Sequence, residues 1–228
     1  MIYIIGDTHC PFDIKKLDND VVKQACGGVF PQYVIITGDA GFIWYNNPEN
    51  EEEVYYLNKM NQKPWITLFA DGNHENFNRL NALPTVSMFG GKVGQISDRL
   101  FHLKRGEVFT IEDKKFFVLG GAMSTDKENR TAYIDWWPEE VPSYADYMNG
   151  MRNVHRHNNC VDYVISHTAP SSILKKYFPF SERYKDSTSE MLQAFIELKF
   201  KKWYFGHFHC NKNNGIFYCV FDKGEVIN

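Results

Sequence analysis

The chain predicts an α/β fold organised around parallel strands, on three observations. Short apolar runs of strand length recur along the sequence. In the first third they alternate with mixed apolar and charged stretches of helical length, the order of βαβ units. Five of the runs end in polar residues of the metal-ligand type, and ligands of such sheets bind beyond the carboxyl ends of the strands.

Residues 2–5 form the first run and lead into Gly6-Asp7-Thr8-His9. Without a basic region before it, this N-terminal run reads as a strand and not as a signal peptide. Residues 14–26 carry a helical pattern that stops at Gly27-Gly28. Tyr33-Val34-Ile35-Ile36-Thr37 is the second strand and ends in Gly38-Asp39. Residues 49–60 predict a helix with acidic residues at its start, where the helix dipole favours them. Trp65-Ile66-Thr67-Leu68-Phe69 is the third strand, followed by Ala70-Asp71-Gly72-Asn73-His74-Glu75, in which Gly72 permits a tight turn. Residues 108–111 and 116–119 predict a hairpin across the polar turn 112–115, ending in Gly120-Gly121. Residues 122–142 show little periodicity, and a loop of that length in a compact domain is usually functional. A helix follows at 143–153, then a strand at 161–165 ending in Ser166-His167. A helix near 189–200 precedes the strand 202–205, which ends in Gly206-His207-Phe208-His209, and 216–221 is expected as the last strand. No repeat, low-complexity tract or linker interrupts the chain, so residues 1–228 read as a single domain.

Composition narrows the classes of function. With 43% hydrophobic and 23% charged residues the chain reads as globular, and 16% aromatics predict a core and cleft rich in rings. A net charge of -3 gives no general electrostatic case for nucleic acid or an anionic membrane. The run Lys199-Phe200-Lys201-Lys202-Trp203 is better explained as a solvated helix end than as a basic patch. No apolar run approaches membrane-spanning length. The five cysteines are odd in number and hold no C-x-x-C pair, which points to reduced thiols and a cytoplasmic location.

The strand ends supply Asp7, His9, Asp39, Asn73, His74, His167, His207 and His209, and five of the eight histidines in the chain are among them. In an extended chain residues i and i+2 point the same way, so Asp7 and His9 can reach one ion, and His207 and His209 one cluster. A lone histidine is more often structural than a ligand, but five such segments in this order form a strong signal. The donors are oxygen and imidazole with no thiolate, against a closed structural zinc site. They suit Mn, Fe, Zn or Ni better than Ca or Mg. Seven ligands without His74 are too many for one ion and about right for two that share a carboxylate.

The blocks Gly6-Asp7-Thr8-His9, Gly38-Asp39, Gly72-Asn73-His74-Glu75, Ser166-His167 and Gly206-His207-Phe208-His209 resemble those of the calcineurin-like metallophosphoesterases, and they span nearly the whole chain. The resemblance implies an α/β/β/α sandwich, two packed mixed β-sheets flanked by helices. It implies two divalent or trivalent transition-metal ions bridged by Asp39. Asp7, His9 and His209 would complete one site, and Asn73, His167 and His207 the other. It implies a phosphate mono- or diester as substrate, cleaved by a hydroxide bridging the ions, with His74 facing the leaving group instead of binding metal. The loop 122–142 is then the expected substrate loop. Arg130 would hold a phosphate oxygen and Trp136 and Trp137 would form an apolar wall, although Arg130 can equally pair with Asp126 or Asp135 and the tryptophans can cover the core.

Two departures bear on the substrate. Protein serine/threonine phosphatases of this superfamily usually carry Asp-Arg-Gly after the second block, whereas here Gly38-Asp39-Ala40-Gly41-Phe42 puts Phe42 where an orienting Asp would stand. Cys10 ends the first block where Gly is common, and Cys10 and Cys210 each follow an expected ligand. The readings that compete with a phosphoesterase are a non-enzymatic scaffold on the same fold, a mononuclear metal-binding protein and, among enzymes, a nuclease or a protein phosphatase. The presence of every ligand and of His74 argues against the scaffold.

Overall fold

The computed structural model describes residues 1–178 and 186–228. β1 (Ile2–Ile5), β2 (Tyr33–Ile36) and β3 (Ile66–Phe69) run parallel in matched register, so Ile5, Ile36 and Phe69 end level with one another. Their connections contain α1 (Asn19–Ala25) and α2 (Glu51–Asn61), and α3 (Phe77–Ala82) follows β3. Then come β4 (Thr85–Met88), β5 (Gly91–Gln95) and β6 (Leu100–Leu103), and the hairpin of β7 (Glu107–Ile111) and β8 (Lys114–Leu119). Its turn is two residues long. Glu112 and Asp113 both take positive φ, as a twisted two-residue hairpin requires. The remaining elements are α4 (Tyr144–Arg156), β9 (Tyr163–Ser166), α5 (Ser171–Tyr177), α6 (Ser187–Gln193), β10 (Lys202–Phe205), β11 (Lys212–Asn214), β12 (Phe217–Cys219) and β13 (Glu225–Ile227).

Two mixed sheets result. The seven-stranded sheet has the order β13-β1-β2-β3-β6-β5-β4, and the six-stranded sheet β11-β12-β10-β9-β8-β7. Alternation along the strands divides the core into three layers. Ile2 and Ile4 of β1 face inward and pack with Ile35, Leu68, Phe116, Val118, Ile165 and Tyr204, so this layer lies between the sheets. Tyr3 and Ile5 face the other way and pack with Val22 of α1, Met60 of α2 and Leu80 of α3. On the far side Phe117, Leu119, Val164 and Trp203 meet Val154 of α4, Ile173 of α5 and Leu192 of α6. The architecture is therefore the expected α/β/β/α sandwich. Each buried Leu, Ile, Val or Phe side chain contributes about 1.5–3 kcal/mol.

Several element bounds differ from expectation. The helix expected over 14–26 is broken at Asp18, which is extended, into a 3₁₀ turn at Ile14–Leu17 and α1. Lys63 Nζ spans the break, donating to the Leu17 carbonyl and the Asn19 side chain. α6 covers less than the expected 189–200. The strand expected over 216–221 narrows to β12, and the last strand is β13, antiparallel to β1. β4 to β6 and the short helices α3 and α5 had no sequence expectation. Among the described residues, no helix is long and apolar enough to cross a membrane.

Candidate metal centre

The expected ligands follow directly on β1, β2, β3, β9 and β10, and all seven meet at one edge of the sandwich. His9 Nε2 lies 3.0 Å from His209 Nε2 and 3.6 Å from Asp39 Oδ2. Asp7 Oδ1 lies 3.6 Å from His209 Nε2. On the other side of Asp39, His167 Nε2 lies 3.3 Å from Asp39 Oδ2 and 3.1 Å from Asn73 Oδ1. The His207 ring stands 5.0 Å from that of His167. Two overlapping groups, Asp7 with His9 and His209 and Asp7 with Asp39 and His167, have ligand atoms close enough to share an ion.

The convergence does not come from strand alternation. Asp7, His9, Asp39, His207 and His209 all have positive φ, so the backbone has left the strand before each ligand is presented. Left-handed backbone at non-glycine residues is costly and gathers at functional sites. Two motif glycines are needed for close approach. A Cβ on Gly72 would lie 2.0 Å from Asp39 Oδ1, and one on Gly206 would lie 2.2 Å from Asp7 Oδ2. Gly72 therefore matters because it lets Asp39 in, and not for turn conformation.

Hydrogen bonds fix the direction of each donor. Asp39 Oδ1 accepts from the His74 backbone N–H at 2.8 Å, which leaves Oδ2 between His9 and His167. Asp7 accepts from the His207 N–H at 2.9 Å, and Lys16 Nζ donates to the Asp7 carbonyl at 2.9 Å. His167 Nδ1 is 3.0 Å from the Thr37 carbonyl. A carbonyl only accepts, so Nδ1 carries a hydrogen, and Nε2 can face these two oxygens only through a proton of its own or through a metal cation. Acceptors facing acceptors require a positive charge between them. The titration behaviour expresses the same need: burial pushes His167 down, but the Asp39 and Asp7 carboxylates override it and raise the ring to about 9. Burial pushes Asp7 up to about 7, while at Asp39 burial is outweighed by His167, His74 and His9, which hold it well below the usual carboxylate range. Burial holds His9 down at about 4 and His207 at about 3, the neutral form a metal needs. Converging oxygen and imidazole donors, four of the seven buried (Asp7, Asp39, Asn73 and His167), fit transition-metal ions.

His74 stands beside this cluster without joining it. Its ring is 5.2 Å from that of His9 and 6.0 Å from that of Trp44. Arg130 Nη1 lies 3.4 Å from His74 Nδ1. Arginine can only donate, so Nδ1 accepts and the ring proton sits on Nε2. Burial and the Arg130 charge lower the His74 pKa against the pull of Asp39. Phe42, where an orienting Asp would stand, is buried edge-to-face against Phe69, and the side chain next to His74 Nδ1 is instead Arg130, a donor.

The substrate-loop residues are arranged differently from expectation. Arg130 is already committed: Nε and Nη2 donate to Asp126 at 2.9 and 2.8 Å, and Nη1 also donates to the Asp135 carbonyl at 3.1 Å. Trp137 is fully buried and packs edge-to-face on Trp44, so it backs the site and offers a substrate no surface. Trp136 is half-buried with Lys127 over its ring. The half-buried ring next to His74 is Trp44, which no motif marked. Phe221, stacked on His209 at 4.7 Å, was hidden inside an expected strand.

Fold and donor set together describe a metal-binding α/β/β/α protein. A family model for calcineurin-like phosphoesterases matches residues 1–211 of the 228, and the chain belongs to that family. Membership implies metal-dependent hydrolysis of phosphoesters. A search of curated proteins found no match to the chain.

Proposed function

We propose that the protein is a dinuclear metal-dependent phosphoesterase acting on a phosphate mono- or diester, a single domain whose loop 122–142 borders the substrate. The observation that carries this reading is His167: its Nε2 lies 3.3 and 3.1 Å from Asp39 Oδ2 and Asn73 Oδ1, an arrangement that calls for positive charge between them. Asp7, His9, His209 and Asp39 would hold one ion, and Asn73, His167, His207 and Asp39 the other. Mn, Fe, Zn or Ni match the donors. Two such ions, when bound, withdraw charge from phosphoryl oxygens and lower the pKa of a coordinated water.

The protein's own groups then have distinct tasks. The His74 N–H holds Asp39 so that one oxygen faces both ligand sets. The His74 side chain, kept in its Nε2–H form by Arg130, donates to the departing oxygen, a contribution on the order of 10²–10⁴-fold. Trp44 lines that side and limits water. Arg130 acts here by orienting His74, since most of its N–H groups are already used.

The test is hydrolysis of p-nitrophenyl phosphate and its bis ester with added Mn²⁺ and with a chelator. Metal-dependent turnover that the chelator abolishes is expected. Failure to turn over either ester would favour the non-enzymatic scaffold.

A further inference from the structure

The segment 122–142 also reaches a candidate ligand. Asn73 Nδ2 lies 3.2 Å from Ser124 Oγ, and Ser124 Oγ lies 2.5 Å from Glu140 Oε2. The Ser124 backbone N–H donates to Glu140 Oε1 at 2.8 Å. Asn73, Ser124 and Glu140 are 5%, 2% and 1% exposed, so bulk water does not compete for these bonds. The direction of donation runs one way. Glu140 accepts twice, the Ser124 hydroxyl therefore donates to Glu140, and its free lone pair accepts from the Asn73 amide. The short Ser124–Glu140 distance is that of a hydroxyl on a carboxylate.

An asparagine side chain can present either its oxygen or its NH₂ group to an ion, and only the oxygen ligates. We infer that Ser124 and Glu140 are positioning residues that hold the Asn73 amide with Oδ1 toward the ion shared with His167 and His207. The inference rests on the two-ion reading above and extends it: the loop is built into the metal centre as well as bordering the substrate. It also follows that consecutive residues are held from one loop, Asn73 by Ser124 and the His74 ring by Arg130.

Glu140→Gln is the informative variant because it changes no volume. Glutamine has one acceptor, and the Ser124 N–H claims it, since a backbone amide can only donate. Its NH₂ then faces Ser124 Oγ and donates to it. The hydroxyl must donate onward to Asn73, whose amide turns over and points NH₂ at the ion. Ser124→Ala removes the anchor and leaves the amide without a preferred direction.

The experiment is Mn²⁺ titration of the metal-free protein by calorimetry, with the thermal midpoint of the metal-free variants as the fold control. Wild type is expected to take up two ions. Both variants are expected to bind the second about 10–100-fold more weakly, the usual effect of losing an outer-shell partner, with the first ion unchanged. Ser124→Thr keeps the hydroxyl and is expected to bind like wild type, which separates the hydrogen bond from general packing. Two ions bound with wild-type affinity in both Glu140→Gln and Ser124→Ala would overturn the inference while leaving the enzyme reading intact. A wild-type protein that binds fewer than two ions would overturn the dinuclear reading, and this inference with it.

Discussion

Two buried carboxylates, Asp71 after β3 and Asp7 after β1, behave in opposite ways. Asp71 is buried, yet both its oxygens are matched by the protein's own donors: the His102 Nε2–H at 2.9 Å on one, and the Arg105 cation through Nε and Nη2 at 2.7 and 2.5 Å on the other. Burial pushes its pKa up, but Arg105 and His102 outweigh burial and hold the carboxyl well below its usual range. Asp7 is just as buried and rises instead to about 7, since His167, the His207 N–H and Lys16 do not offset burial and the Asp39 charge. Burial is common to both, and the supply of positive charge differs. A cluster with its own cation is a strut, and the Asp71 carbonyl accepts from the Gly121 N–H at the start of the long loop. Among the described residues the Asp7 and Asp39 carboxylates pair with histidines and with no arginine or lysine, which leaves charge for a metal to supply.

The largest break in that contrast is Asp39→Asn. It removes the carboxylate proposed to bridge the two ions. Elemental analysis should find neither ion tightly held, and turnover should fall roughly 10³-fold or more, the several kcal/mol that metal charge contributes. Two retained ions would defeat the bridging role. Next, on the proposed role of His74 in the chemistry and not in ion binding, His74→Ala should leave both ions bound and cost about 10²–10⁴-fold in kcat. Normal kcat in that variant would remove His74 from the mechanism.

Asp71→Asn attacks the strut. It leaves Arg105 buried without its carboxylate, at a cost of about 3–5 kcal/mol in denaturant unfolding at pH 7. The sign of its pH dependence follows from the depressed folded pKa. Asp71 stabilises the fold above its unfolded pKa of about 3.9, and that contribution disappears as pH falls toward the folded value. The stability gap between wild type and variant should therefore be full at pH 7 and narrow below about pH 4. A gap that widens in acid would show that Asp71 is not ionised in the fold. The smallest effect is expected from Phe221→Ala, which removes the ring stacked on His209. The loss is about 0.5–1.5 kcal/mol, at most about tenfold in the affinity of the ion held with Asp7 and His9. Unchanged affinity would show that His209 needs no such support.

Much of the donor set was legible because polar residues at the ends of apolar runs are a local feature. Asp7, Asp39, His167 and the His207/His209 pair could all be found that way. The reason they converge was not legible: positive φ at five of the ligands replaces the simple i, i+2 rule. The break at Asp18 was not legible, and Lys63, which bonds on both sides of it, is remote in sequence. Arg130 illustrates the limit, since composition and spacing left open whether it would bind phosphate or pair with Asp126, and the fold gives it Asp126, Asp135 and His74 together.

By itself, the sequence determined which chemistry was available: parallel strands, and mixed oxygen and imidazole donors waiting at their ends. These follow from local patterns of two to six residues, which hydrophobic alternation and side-chain type already specify. Only the tertiary structure decided which lone pairs face each other, which ring nitrogen of His74 carries its proton and what holds the Asn73 amide. Those depend on partners tens of residues apart, and hydrogen bonds have a direction that no linear pattern records.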